Sequence, residues 1–212
     1  ISPSQTLTIA QSLYLEGIIS YPRTSSQKIP SAIEPKKILK QLEKIFPAVK
    51  EATRKTPIEG KKSDPAHPSI YPTGEQKQLK ENEKKIYDLI VKRFISAFYR
   101  DAIAQNKKTT ITAVEAPEIK FSALGLKIKD ASWTKVYPAV LEEKAIPTLN
   151  GNVKIDKIEN VEKETQPPKR YTPASLISIL ERKNLGTKAT RSVIVDTLFN
   201  RGYLDGKSIK AT

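Results

Sequence analysis

The chain has no cysteine, which removes disulfide staples, thiolate zinc sites and cysteine nucleophiles together. Its one histidine, His67, rules out histidine-rich metal sites, and no glycine-rich phosphate loop of the nucleotide-binding kind is present. No apolar run approaches the roughly 20 residues that span a bilayer, and no basic-then-apolar leader opens the sequence. These absences point to a cytoplasmic, nucleoid-associated protein with no membrane partner. Methionine is missing too, even at position 1, so the chain reads as a piece of a longer protein whose N-terminal part is absent. Acidic residues are scarce beside basic ones. Lys plus Arg total 37 against 23 Asp plus Glu, a formal net charge of +14 over 212 residues, and an excess of that size favours a polyanionic partner, nucleic acid first.

What is present is enough to fold: 38% of residues are hydrophobic and 28% charged, a globular composition. Ser2-Pro3 reads as a helix cap with proline in the first turn, and Leu7, Ala10 and Tyr14 recur on one face until Gly17. A brief apolar strand at Ile18-Ile19 then opens into a polar turn that presents Tyr21 and Arg23 rather than burying them. Ile38, Leu39, Leu42, Ile45 and Phe46 predict a second helix stopped by Pro47. Residues 47–74 are rich in proline, lysine, serine and threonine and read as a fixed, extended loop. Ile86, Leu89, Ile90, Phe94 and Phe98 predict a long helix.

From about Asn106 to Glu164 short alternating runs predict strands at 109–114, 118–124, 126–130 and 153–158. Trp133 reads as an anchor for that sheet rather than a base-stacking platform. Thr172-Pro173 opens a helix running to Asn184-Leu185-Gly186, and a second follows from Ala189 to Phe199 with Val193, Ile194, Thr197 and Leu198 turned inward. Helix, turn, helix and strand in that order are compatible with a helix-turn-helix module. The expected architecture is therefore α+β and multidomain: a helix-rich, winged-helix-like tyrosine module over 1–100, a small antiparallel β arch over 101–165, and a helix-turn-helix-like segment over 166–212.

By elimination, chemistry here must use Tyr, His67, carboxylates, Arg or Lys. A phenolic oxygen can attack a phosphodiester and leave again, so a tyrosine can form a reversible covalent link to phosphorus. With a free pKa of about 10 it needs positive charge nearby, and Arg23, two residues on, offers a planar fork of donors suited to phosphate. Lys188 is a candidate phosphate contact on chemistry alone.

Gly17-Ile18-Ile19-Ser20-Tyr21-Pro22-Arg23-Thr24-Ser25 resembles the active-site motif of type IA DNA topoisomerases, especially archaeal members and the related reverse gyrases. The segment from Asp64 through His67 to Thr73 is similar to the family's Asp-Ala-His segment. The Trp133 region resembles return strands of its arch, and Tyr171 through Gly186, Thr190 and Arg201-Gly202-Tyr203 resembles the segment lining its single-strand groove. Ser25, Tyr71 and the run Thr187-Lys188-Ala189 depart from the bacterial pattern.

The resemblance implies that Tyr21 is the nucleophile, joined transiently to a 5′-phosphate, that Arg23 stabilises the phosphoryl transition state, and that His67 lies beside the tyrosine. It also implies that Thr190 and Arg201 contact single-stranded DNA. Family members bind Mg2+ through acidic residues of an N-terminal domain, and no such acidic cluster occurs here. The expectation is thus a portion of a topoisomerase, incomplete for cleavage by itself, whose partners are single-stranded DNA and that missing domain. The alternative is a non-catalytic basic DNA-binding protein with a helix-turn-helix; an RNA-associated module is a weaker third reading.

Overall fold

The computed structural model describes residues 1–64, 66–139 and 141–212. The chain is mixed α and β and forms two compact units, one of Ile1–Phe98 with Pro167–Thr212, the other of Tyr99–Gln166.

The first unit begins with helix α1 (Pro3–Leu15). Ser2 caps it reciprocally with Gln5, the Ser2 hydroxyl accepting from the Gln5 N–H at 3.2 Å and the Gln5 amide oxygen accepting from the Ser2 N–H at 3.0 Å, so two otherwise orphaned donors are satisfied. At the far end Gly17 turns left-handed at φ +76°. Gly17 N–H then donates to Tyr14 O and Ile18 N–H to Leu13 O, both at 2.9 Å, the paired bonds of a Schellman cap.

Helix α2 (Pro35–Leu42) stops short of the expected end at Phe46. Pro47 is the cause: the residue before a proline is pushed out of the helical region, and Phe46 sits at φ −116°, ψ 88° while Pro47 starts a separate 3₁₀ turn, Pro47–Glu51. Helix α3 (Glu81–Ser96) is capped by the Glu83 carboxylate, which accepts from the Lys80 N–H at 2.9 Å. Its buried stripe is Tyr87, Val91, Phe94, Ile95 and, just beyond the helix, Phe98, whereas Leu89, expected inside, is exposed. Those buried positions recur at helical spacing and meet α1, with Leu13, Ile18, Ile19 and Leu42 completing the core.

After residue 167 the chain returns to the same unit. Helix α4 (Pro173–Arg182) is capped by Thr172, which accepts from the Ser175 N–H at 3.2 Å. It ends as Asn184 turns left-handed at φ 55°, a conformation asparagine tolerates better than most residues. Helix α5 (Arg191–Asn200) packs on α4 and α1. Its inward residues are Ser192 and Val195, the latter 1% exposed, while Val193 is 58% exposed and Ile194 is also outside; the expected inward face was rotated. A two-residue hairpin closes the chain, β3 (Leu204–Asp205) with β4 (Lys210–Ala211).

In the second unit β1 (Ile103–Thr112) pairs antiparallel with β2 (Lys120–Asp130). The two strands expected at 118–124 and 126–130 are one continuous strand through Gly125. A Cβ there would lie 2.8 Å from the Lys144 carbonyl, and that close approach lets Leu126 and Lys144 exchange both backbone hydrogen bonds at 3.0 Å. Residues 153–158 form no strand. Their alternation is real, but Ile155 and Ile158 stay exposed without a ladder to join. Trp133, half-buried, lies on a 3₁₀ turn (Ser132–Lys135) that follows β2 rather than between two strands. No helix among the described residues is long and apolar enough to cross a membrane.

Candidate active site

Two irregular segments, 17–28 and 62–74, are fastened together in the first unit. Prolines interrupt both, so a regular ladder cannot form, and among the described residues the one bridge of β type between these two segments joins Ile19 to Pro72. Pro65 lies outside them. Hydroxyl groups supply what the backbone cannot. Ser20 Oγ accepts from Tyr71 N–H at 2.9 Å and donates to Ser69 O at 3.3 Å. Thr73 Oγ1 donates to Gly17 O at 2.7 Å and Thr24 Oγ1 to His67 O at 3.3 Å. Backbone bonds from Thr73 to Ile18, Ser20 to Tyr71 and Gln27 to Lys62, each 2.9 Å, complete the fastening.

The result places the Tyr21 ring against His67, centroids 4.5 Å apart and planes tilted 45°. On α1, Tyr14 meets the same ring edge-on at 5.3 Å. Tyr21 is half-buried, steadied by two rings yet open to an adjoining cleft of about 830 Å³.

That cleft is strongly cationic. Tyr21, Arg23, Ser25 and Lys62 line it from the fastened segments, and Arg182, Lys188 and Arg191 line it from α4, the following turn and α5; Glu181 is the one carboxylate in the lining. Arg23 Nε is buried with no hydrogen-bond partner. An unmet donor on a buried charged group is costly.

Two ion pairs cross from the loop to the helices. Lys188 Nζ lies 2.6 Å from Asp64 Oδ2, and Lys62 Nζ lies 3.0 Å from Glu181 Oε1. The Lys188 hydrogen bond, helped by the Ala66 and Ser25 N–H groups, lowers the Asp64 carboxyl from 3.8 to about 2. Lys62 likewise holds Glu181 below its ordinary value.

Of the residues singled out from sequence, Tyr21, Arg23 and Lys188 line the cleft, and His67 stands against the Tyr21 ring without lining the cleft. Thr190 and Arg201 do not line it. The Thr190 hydroxyl is occupied within its own turn, accepting from the Thr187 N–H at 2.8 Å. Arg201 is exposed beyond the opposite end of α5, and a ten-residue helix separates the two positions by about 15 Å. Sequence reasoning missed Tyr14, Lys62, Arg182 and Arg191. Tyr14 alone left a signal, a tyrosine on the last turn of α1 just before the Gly17 cap; the three cations come from separate segments that only folding unites.

These residues do not suit the magnesium ion implied by the resemblance. Glu181 and Asp64 are each held by a lysine, and no three His, Cys, Asp or Glu groups among the described residues come together to hold a metal.

Comparison with known proteins agrees along the whole chain. A family model described as DNA topoisomerase matches residues 1–212. The chain is 46% identical over 219 residues to DNA topoisomerase 1 of Methanothermobacter thermautotrophicus, covering 100% of this chain and 30% of that protein. It is 42% identical over 231 residues to DNA topoisomerase 1 of Pyrococcus horikoshii, covering 100% and 32%. Full-length topoisomerase I from Thermotoga maritima shares the fold with a TM-score of 0.74 over 100% of this chain and 37% of that one, at 24% identity. The chain thus spans about a third of the length of the curated relatives it matches.

Proposed function

The chain belongs to the type IA DNA topoisomerase family, and from that premise we propose that it carries the nucleophile and part of the strand-binding cleft for transient cutting and rejoining of single-stranded DNA. Tyr21 Oη attacks a backbone phosphorus and gives up its proton. The bond from phosphorus to the 3′ oxygen breaks, that oxygen takes up a proton, and the 5′ phosphate stays on the tyrosine. Reversal of the same exchange rejoins the strand after another segment has passed, which changes supercoiling without a nucleotide cofactor.

One observation carries this reading: the Arg23 side chain lines the same cleft as a tyrosine in contact with two neighbouring rings. A phosphoryl oxygen gaining charge in the transition state would meet the Arg23 guanidinium, and fixed donors aimed at developing charge are among the strongest catalytic devices. His67 orients the phenol ring. Lys188 binds the strand, and Thr190 and Arg201 would extend its track beyond the cleft. In this reading α4, the following turn, α5 and the β3–β4 hairpin are a helix-turn-helix-like groove segment, the first 100 residues a winged-helix-like module, and the second unit part of the arch. Mg2+ and the remaining acid–base groups would come from a preceding domain, so the residues present bind a strand but cut poorly alone. The setting would be the cytoplasm, on the nucleoid.

The test is covalent capture. The chain joined to its natural N-terminal extension is incubated with labelled single-stranded DNA and magnesium, as natural protein and as Tyr21→Phe, then denatured in SDS. Adducts that depend on Tyr21 are the expected result. If both proteins bind DNA and neither is captured, the transesterase reading fails and a non-catalytic DNA-binding protein takes its place.

A further inference from the structure

Among the cations of the cleft, Lys188 and Lys62 are already satisfied by carboxylates of the protein itself. The two members of the first pair differ in how they are held. Asp64 is 14% exposed and Lys188 41%. Asp64 Oδ1 also accepts from the Ala66 N–H at 3.0 Å, and the Ser25 N–H lies close enough to help lower its carboxyl. The aspartate is thus anchored beside the Tyr21 turn by backbone donors that do not involve the lysine. Among the described residues Lys188 Nζ has its hydrogen bond to Asp64 alone, with the Glu181 charge nearby, and a lysine ammonium on its flexible stem changes partners readily. The Lys62–Glu181 pair is looser, with both side chains about half exposed at 61% and 48%.

We propose that Asp64 and Glu181 are built-in occupants of two phosphate subsites, at Lys188 and Lys62, and that a bound strand takes these lysines over by displacing the carboxylates. The inference rests on the cleft being the single-strand site, and it adds that two of the five cations lining it, Lys62 and Lys188, are held by the protein's own carboxylates. The fixed carboxylate offers Lys188 the same kind of charge-assisted acceptor as a phosphate oxygen. Each strand that enters must break the pair and leave Asp64 negative beside the DNA. The pairs therefore lower affinity, contrary to the ordinary reading of an ion pair as a staple that builds the site.

Asp64→Asn separates the two. The amide oxygen can still accept from the Ala66 and Ser25 N–H groups, so the loop keeps its anchor, while the amide nitrogen offers Lys188 nothing. Binding of this chain to a fluorescent oligothymidylate of about 12 nucleotides, a length within the usual range for one single-strand site, is read by anisotropy at fixed salt, with melting temperatures confirming that each variant is folded. Asp64→Asn is expected to bind roughly two- to fivefold tighter, the range of an exposed ion pair converted to an equilibrium constant. Glu181→Gln should also tighten binding, and by less. Lys188→Gln should weaken binding and abolish the gain from Asp64→Asn, the coupling that a double-mutant cycle isolates.

If Lys188→Gln weakens binding but Asp64→Asn and Glu181→Gln bind no tighter than the natural chain, the pairs are staples and this inference is overturned while the cleft reading stands. If the natural chain does not bind, or Lys188→Gln leaves binding unchanged, the cleft reading falls and takes the inference with it.

Discussion

Gly17→Ala isolates a single physical term at the point where α1 hands over to the Tyr21 segment. Gly17 sits at φ +76°, and a Cβ built on it meets nothing within 4 Å. No clash contributes, so the cost is backbone strain alone. An L-residue forced into the left-handed region loses about 1–2 kcal/mol, and alanine recovers about 0.4–1 kcal/mol by restricting the unfolded chain, which leaves a net loss of about 1 kcal/mol. Urea unfolding followed by helical circular dichroism checks it. With an m-value of about 2 kcal/mol/M, the midpoint should fall by about 0.5 M with m unchanged. Gly17→Asn should lose less, because asparagine visits this region more easily. A variant as stable as the natural chain, or asparagine costing as much as alanine, would refute the strain argument. The position matters for function because Gly17 O accepts from Thr73 Oγ1 and Ile18 O from Thr73 N–H; relaxing the strained turn would loosen the fastening that sets Tyr21.

Three further outcomes follow from packing, capping and charge. Leu42 is fully buried, so Leu42→Ala should cost about 3 kcal/mol through lost burial and a cavity, measurable in the same unfolding assay. Thr172→Ala removes the cap on α4 and should cost about 1 kcal/mol, with faster amide exchange confined to the first turn of that helix. The folded Asp64 carboxyl titrates at about 2, below its ordinary value near 3.9; its stabilising contribution is full above pH 4 and lost as pH falls towards 2. An Asp64→Asn variant should therefore show a shallower loss of stability across that window in a pH series.

Helix ends were legible because their causes are local. Ser2-Pro3, Gly17, Thr172-Pro173 and Asn184 each act on their own turn, and α1 and α4 begin and end where those residues dictate. Faces were less legible. In α5 the apolar residues Val193 and Ile194 suggest an inward face, but the side buried where α5 packs is the narrow one carrying Ser192 and Val195. The alternation at 153–158 predicts what a strand would look like but cannot supply the edge it needs. At the site, Tyr21, Arg23 and His67 were readable as motif residues. Arg182 and Arg191 were not, because a charged residue on a helix has no signature until its facing surface is known.

The cleft is bounded by two walls of different stiffness, and that difference has a physical origin in the sequence. On the tyrosine side, prolines forbid a sheet, yet Ser20, Thr24 and Thr73 replace the missing ladder with side-chain hydrogen bonds, and Ile18 and Ile19 are buried beneath them. Breaking that wall would expose both isoleucines and several bonds at once. On the other side, α4 and its turn reach the loop through Lys62–Glu181 and Lys188–Asp64, surface pairs that contribute little to stability, while α5 packs on α1 and α4 and buries Val195. A strand that competes for the two lysines therefore loosens only the weaker wall. On the proposed function Tyr21 would keep its position while the cleft adjusts, the division of labour a reversible transesterification needs, since rejoining would require Tyr21 to be where cutting left it.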